Sequence, residues 1–332
     1  MDHGGLPYQL VSDIKLSIII VNWNTGELLE QCLASLFGQD VQAPTEVIVV
    51  DNASSDDSIG MLRRRFPQVV VMENSENFGF TRANNRAIEK ASGEYLLLLN
   101  PDTIIPDSST LRHWLAFMDE HREAGVSGCR LAFPNGDHQV GDAGFRPTLG
   151  SVSNYALFLS KIFPPFKGVY LNHSPRGPCE VDWVCGADLL VRRSIIADVG
   201  SMDEDIFMYA DDIEWGCRIR ASGYKIYYLP TLTIIHYQGA TGGIAMGKDN
   251  PSFVWFDNLR SLYGLYHKGQ PIVLFDILFS INFLLRGVLY HLCYLRSKDP
   301  KTGVKAGLMW QYLRLAAGHA FKKGGRIGRR VR

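Results

Sequence analysis

Three short, unbroken apolar runs punctuate the N-terminal third of the chain: Leu16 to Val21 (LSIIIV), Glu46 to Val50 (EVIVV) and Tyr95 to Leu99 (YLLLL). Runs this short and rich in branched residues fit strands buried on both faces, the pattern of a parallel sheet. Between the first two, Glu27 to Phe37 carries apolar residues at 28, 29, 32, 33, 36 and 37, the spacing of one helix face. Ser58 to Phe66 and Thr81 to Ala91 predict two further helices, with Val69 to Met72 as a short strand between them. The resulting β-α-β-α-β-α-β alternation predicts a doubly wound α/β sheet. Ligands of such sheets sit outside the carboxyl ends of the strands. Polar clusters stand at those ends here: Asn22-Trp23-Asn24, Asp51-Asn52-Ala53-Ser54 and Asn100-Pro101-Asp102.

A second block, about Val126 to His236, holds a Gly- and Pro-rich stretch (Phe133 to Pro178), an apolar run from Asp182 to Val191, an acidic cluster, and a strand-like Lys225 to His236. From Ser252 the chain turns helical and aromatic, then apolar (Pro271 to Leu295), then basic. In the apolar stretch Asp276, Ser280, Asn282, Arg286 and His291 fall within about half of a helix circumference at 100° per residue. That predicts an amphipathic helix lying in a membrane surface rather than a span, with a helix packed on the catalytic domain as the alternative.

Composition sharpens this. At 332 residues, 46% apolar and 20% charged, the chain can build a sizeable core, which excludes global disorder. The formal net charge of zero hides a split: residues 286–332 carry 12 basic residues and one acid, Asp299. A basic end on an otherwise acidic protein predicts an anionic partner there. The aromatics nearby ride with aliphatics rather than among the basic residues, so the expected partner is a membrane surface and not a nucleic acid. Six scattered cysteines form no CxxC pair, and the N-terminal segment lacks an apolar signal region. Reduced thiols in a cytoplasmic protein, peripheral on the inner face of the membrane, are therefore expected, and the sequons at Asn52 and Asn172 carry no weight.

Together, IIIVNWNT, EVIVVDNASSDDS, NFGFTRANN, YLLLLNPDT, WVCGADLLVRR, FMYADDIEWGCRIRASGYKIYYLP and His236 resemble, in order, the motifs of the family 2 glycosyltransferases across about residues 14–268. The bacterial rhamnosyltransferase branch is the most similar. The resemblance implies a GT-A fold (a mainly parallel central sheet flanked by helices) over residues 14–245, with a nucleotide-sugar-binding half (14–125) and an acceptor-binding half (126–245). A helical, basic, membrane-associating region (246–332) would follow. By the same resemblance Val21, Trp23, Asp51, Asn77, Gly79, Arg82 and Asn100 contact the nucleotide sugar. Asp51 would accept the imide N–H of a pyrimidine, Trp23 would lie against the base and Arg82 would pair with the diphosphate. Asp102 and His236 would hold Mg²⁺ or Mn²⁺, with Asn100 standing where the family's motif has its first Asp. Asp212 would be the catalytic base, with Asp211, Gly186, Ala187 and Asp188 on the acceptor side. Two adjacent carboxylates repel, which raises one pKa and suits a base.

The expected activity is inverting transfer of a sugar, with L-rhamnose from dTDP-rhamnose favoured, onto a saccharide or polyprenyl-linked acceptor. A sugar nucleotidyltransferase would want a Gly- and Arg-rich loop after the first strand, and Asn22 to Glu27 has no basic residue. A non-catalytic sugar-nucleotide sensor would leave Asp102, Asp212 and His236 without a purpose. Gly242 to Lys248 matches GxxxxGK, but Asp249-Asn250-Pro251 follows, so a phosphate-binding P-loop is rejected and a glycine-rich loop over the donor site is expected.

Overall fold

A computed structural model describes residues 14–163, 165–173, 175–207, 209–237, 253–267 and 271–321. The glycine-rich loop at 242–248, the boundary at 245/246 and the basic cluster from Lys322 to Arg332 lie outside the described residues.

The first half follows the predicted alternation within two residues: β1 (Leu16–Asn22), α1 (Gly26–Phe37), β2 (Thr45–Asp51), α2 (Ser58–Arg65), β3 (Val70–Glu73), α3 (Gly79–Lys90) and β4 (Tyr95–Leu99). Every residue of β1 and β4 is buried, because the sheet is covered on both faces. Ile18, Ile20, Val49 and Leu97 point into one core; Ile19, Val21, Val50 and Leu98 point into the other. Two cores thus draw on one alternating set of strands, and that double use makes each strand read as an unbroken apolar run.

The chain continues through β5 (Thr103–Ile104), α4 (Thr110–Glu120), β6 (Ala124–Ala132), β7 (Ala143–Gly144), α5 (Leu149–Ala156), α6 (Leu159–Ile162), β8 (Cys179–Val181), β9 (Trp183–Val184), β10 (Asp188–Arg192), α7 (Ile196–Val199), α8 (Asp211–Ala221) and β11 (Lys225–His236). The main sheet runs β3-β2-β1-β4-β10-β6-β11-β5, with β8 on β11. It is parallel from β3 to β4 and mixed beyond, since β10 lies antiparallel to both β4 and β6. The apolar run from Asp182 to Val191 is two strands, not one: β9 pairs with β7, and the chain turns through Cys185-Gly186-Ala187 into β10.

Two of these pairings position the site. Asp188 faces Leu99, which brings the 185–187 turn beside the end of β4. His236 faces Thr103, which brings the end of β11 to the Asn100-Pro101-Asp102 turn.

Three helices close the chain: α9 (Val254–Tyr266), α10 (Ile272–Ser297) and α11 (Pro300–Phe321). They are not an appendage. Phe256, Leu259, Phe275, Phe279, Phe283 and Tyr312 share one core with Trp183, Ile213 and Cys217 of the sheet domain. Most of the polar stripe on α10, Asp276, Asn282 and Arg286, faces the protein, while His291 at its far end is exposed. Asp276 is fully buried and accepts two bonds from Arg260, from Nε at 2.7 Å and Nη2 at 3.0 Å. Asn282 Nδ2 donates to the Ala156 carbonyl at 3.1 Å, and the Arg286 guanidinium lies over the rings of Tyr155 and Phe158. Phe275, Phe279 and Phe283 share that face and supply its burial. The opposite face, which includes Leu274, Ile277, Ile281, Leu285, Leu289 and Leu292, is 37–59% exposed. Among the described residues, α10 is the one helix long and apolar enough to cross a membrane, with a third of its apolar window buried.

Candidate active site

A cleft of about 630 Å³ opens at the carboxyl ends of β1, β2 and β4 and is walled on the far side by α8, α9 and α11. Val21, half-buried Trp23, Asn52, Asn77 and Gly79 line one end. The turns there are conformationally demanding: Asn24 and Ala53 hold left-handed backbones with φ of 54° and 59°. Gly79 has φ of +80°, and a Cβ there would come within 2.6 Å of the Phe207 ring, so the α3 start requires glycine.

Asp51 does not face this cleft. It is 2% exposed, and its Oδ1 accepts from Asn22 Nδ2 (2.8 Å) and Ser54 Oγ (2.6 Å) while Oδ2 accepts from Ser54 N (2.8 Å). The carboxylate satisfies the 51–54 turn, and its neighbour Asn52 reaches the cleft wall instead. Arg82 departs from expectation as well. It is half-exposed and paired with Glu204 at 3.2 Å, outside the cleft lining. Asp188 is fully buried in β10, where Oδ2 accepts from Cys129 N at 2.9 Å; burial pushes its carboxyl well up, and it forms no part of the cleft lining.

At the centre, Asp102 and His236 meet. Asp102 Oδ1 is buried, has no hydrogen-bond partner and lies 3.3 Å from His236 Nε2. Gln139 fixes the imidazole: its Nε2 donates to the His236 carbonyl at 3.3 Å, leaving Oε1 to accept from Nδ1 at 2.7 Å. In the neutral ring Nε2 then carries a lone pair aimed at the orphaned carboxylate oxygen. Two electron-pair donors facing each other in a buried site fit a cation between them. Asn100, 3.4 Å from Nε2, flanks the pair. Among the described residues no cluster of three or more His, Cys, Asp or Glu surrounds this point.

Asp211 and Asp212 open α8, directly after Tyr209 and Ala210, whose φ values of 66° and 62° are again left-handed. Asp212 Oδ2 accepts from Gly186 N at 3.2 Å and Oδ1 from Ile213 N at 2.8 Å. Gly186 and Ala187 line the cleft beside it, with Phe80 packed close to Gly186. Burial pushes Asp212 up to about 6, and burial together with the charge of Asp212 pushes Asp211 to about 8. Both carboxyls are thus held above the ordinary range, and the pair shares its protons as one unit. Cys185 also lines the cleft, but burial raises its thiol well above the ordinary value, so it is no nucleophile.

The structure thus unites Val21, Trp23, Asn77, Gly79, Asn100, Asp102, Gly186, Ala187, Asp211, Asp212 and His236 around one cleft and removes Asp51, Arg82 and Asp188 from it. The sequence reading missed Gln139, which lies in a stretch with no periodic pattern. It also missed the aromatic far wall, of which the only trace in sequence is the density of rings in 253–266.

The profile of glycosyl transferase family 2 matches residues 17–170. Over 243 residues the chain is 29% identical to the N-acetylglucosaminyl-diphospho-decaprenol L-rhamnosyltransferase of Mycobacterium tuberculosis, covering 69% of this chain and 78% of that one. It is 28% identical to rhamnosyltransferase WbbL of Escherichia coli over 232 residues, 66% of this chain and 82% of that one. Among solved structures, mannosyltransferase PcManGT from Pyrobaculum calidifontis, in complex with GDP-Man and Mn²⁺, superposes with a TM-score of 0.53 at 18% identity, covering 93% of this chain and 88% of that one. That last likeness bears on the fold alone.

Proposed function

We propose that the chain is a family 2 glycosyltransferase, and that it transfers L-rhamnose from dTDP-rhamnose, with inversion, to a polyprenyl-linked saccharide at the cytoplasmic face of the membrane. The observation that carries this reading is the convergence of Asp102 and His236 with Asp211 and Asp212 in one cleft at the carboxyl ends of the strands. The names of two curated relatives, both rhamnosyltransferases, favour the sugar, and one of them names a diphospho-decaprenol acceptor.

The chemistry follows from the groups present. The acceptor hydroxyl lies against Asp212, which takes its proton as the oxygen attacks the anomeric carbon. The bond from that carbon to the diphosphate oxygen breaks, and the nucleoside diphosphate departs with the electron pair. One displacement from the face opposite the leaving group inverts the configuration. Burial and mutual repulsion favour one shared proton on the pair, so it does not carry two buried charges. Asp102 and His236 would hold Mg²⁺ or Mn²⁺, which when bound offsets charge on the departing diphosphate, with water and phosphate oxygens completing its shell. Trp23 offers a flat face to the base.

Membrane attachment has its own support. The exposed face of α10 carries Leu and Ile residues in a continuous stripe, and the basic excess of residues 286–332 suits an anionic leaflet. Calorimetry of dTDP, UDP and GDP with Mn²⁺ tests the donor: dTDP should bind at least about tenfold more tightly than GDP. Equal or stronger GDP binding would overturn the donor assignment.

A further inference from the structure

The cleft does not end at the acid pair. Past Asp212 its wall includes Tyr155, Tyr170, Trp255 of α9 and Tyr312 of α11. These rings are the outer of two aromatic layers. The inner layer, Phe256, Phe275, Phe279 and Phe283, is sealed at 3% exposure or less. The layers touch: Tyr155 and Trp255 stand 6.1 and 6.3 Å from Phe279, and Tyr312 stacks on Phe283 at 5.1 Å. All four of these cleft rings carry a polar tip, as do the buried Trp183 and Tyr263 of the same core, whereas Phe80 and Phe207 line the cleft without one. Space-filling alone would favour Phe throughout, because a hydroxyl or indole N–H drawn from water has a desolvation cost unless it finds a partner.

Two of the polar tips pair with each other on the cleft wall. Trp255 Nε1 donates to Tyr312 Oη at 2.7 Å. Burial, with smaller effects from Tyr155 and Asp212, pushes the Tyr170 hydroxyl well up, and burial beside Asp211 pushes Tyr209 up. A pyranose has the matching chemistry: an apolar C–H face for aromatic rings and an edge of hydroxyls for their tips.

We infer that Tyr155, Tyr170, Trp255 and Tyr312 form a second sugar-binding subsite that seats the pyranose receiving the transferred residue, and that the C-terminal helices thereby select the acceptor. This inference rests on the transferase reading above. It assigns α9 and α11 a recognition role in addition to packing.

The test is saturation-transfer NMR of the full chain with octyl N-acetyl-β-glucosaminide below its micellar concentration, with dTDP calorimetry run in parallel on the same samples. Saturation should reach the pyranose protons of the probe. Trp255→Leu should weaken probe binding about tenfold and Tyr170→Phe at least about threefold, each leaving dTDP affinity within twofold. Should Trp255→Leu fail to fold, the conservative Tyr170→Phe decides alone. Saturation confined to the octyl chain, or unchanged probe affinity in Tyr170→Phe with dTDP binding intact, would overturn the inference. Loss of dTDP binding by the unaltered chain would instead count against the transferase reading, so the two failures are distinguishable.

Discussion

Replacing Asp212 by Asn separates catalysis from stability, because the two should move in opposite directions. Asn keeps the shape of the side chain and can still accept from Gly186 N or Ile213 N. It cannot take a proton. Turnover should fall by about 10²-fold or more, the usual scale for losing a general base, while dTDP affinity stays near normal. Stability should rise. Burial lifts the Asp212 carboxyl from 3.8 to about 6, so the folded chain binds this proton more tightly than the unfolded chain does. Ionising it at neutral pH therefore opposes folding. The penalty sets in as pH climbs through the unfolded value near 4 and is complete above about 6. At roughly 1.4 kcal/mol per unit its ceiling is about 3 kcal/mol, and partial exposure to the cleft cuts this to about 1–2 kcal/mol. Asp212→Asn should thus melt a few degrees higher than the unaltered chain at pH 8 and show a smaller gain at pH 5. In the unaltered enzyme kcat/KM should drop about tenfold per unit below pH 6 as the base is protonated. Transfer can be followed as dTDP release, and melting by scanning calorimetry. Near-normal turnover by a folded Asp212→Asn would refute the base assignment, and a lower melting point at both pH values would refute the burial argument.

Asp102→Ala should abolish the strengthening of dTDP binding by Mn²⁺; calorimetry showing the same metal dependence as the unaltered chain would remove Asp102 from the metal site. Asp276→Ala leaves the Arg260 guanidinium buried without its partner and should destabilise the fold by about 3–5 kcal/mol in denaturant unfolding; a loss under 1 kcal/mol would contradict that. Leu285→Asp combined with Leu289→Asp puts two charges on the exposed face of α10 and should prevent co-sedimentation with anionic vesicles. High salt should weaken the attachment of the unaltered chain without abolishing it, since salt screens the basic end but not apolar burial. Equal pelleting of the variant would exclude α10 as the anchor.

How much was legible follows from where information sits in the chain. The elements of the nucleotide half were readable because β1, β2 and β4 are buried on both faces and no local signal competes with their apolar runs. Asp102, Asp212 and His236 were readable because each stands at the end or start of a regular element. Asp51 and Arg82 sit outside the cleft lining for a physical reason: a residue at a strand end can serve the turn as readily as a ligand, and one helical position decides whether an Arg faces the cleft or Glu204. Asp188 misled because β10 inserts antiparallel between β4 and β6, a pairing that spans distant segments. The polar residues of α10 were correctly grouped on one face. Only tertiary structure, through Arg260 and the Ala156 carbonyl, reveals that this face is buried around Asp276 and Asn282 and the apolar one exposed. Gln139 and the aromatic wall come together from loops and distant helices, with no local pattern to betray them.

The central claim, a single displacement driven by Asp212, is tested most directly by the stereochemistry of the product. Proton NMR of the transferred sugar, recorded while dTDP-rhamnose is consumed in the presence of a polyprenyl-diphosphate-linked saccharide, reads the anomeric configuration before any slow equilibration. The account predicts a glycoside whose anomeric configuration is inverted relative to the donor. A glycoside formed with retention would contradict it.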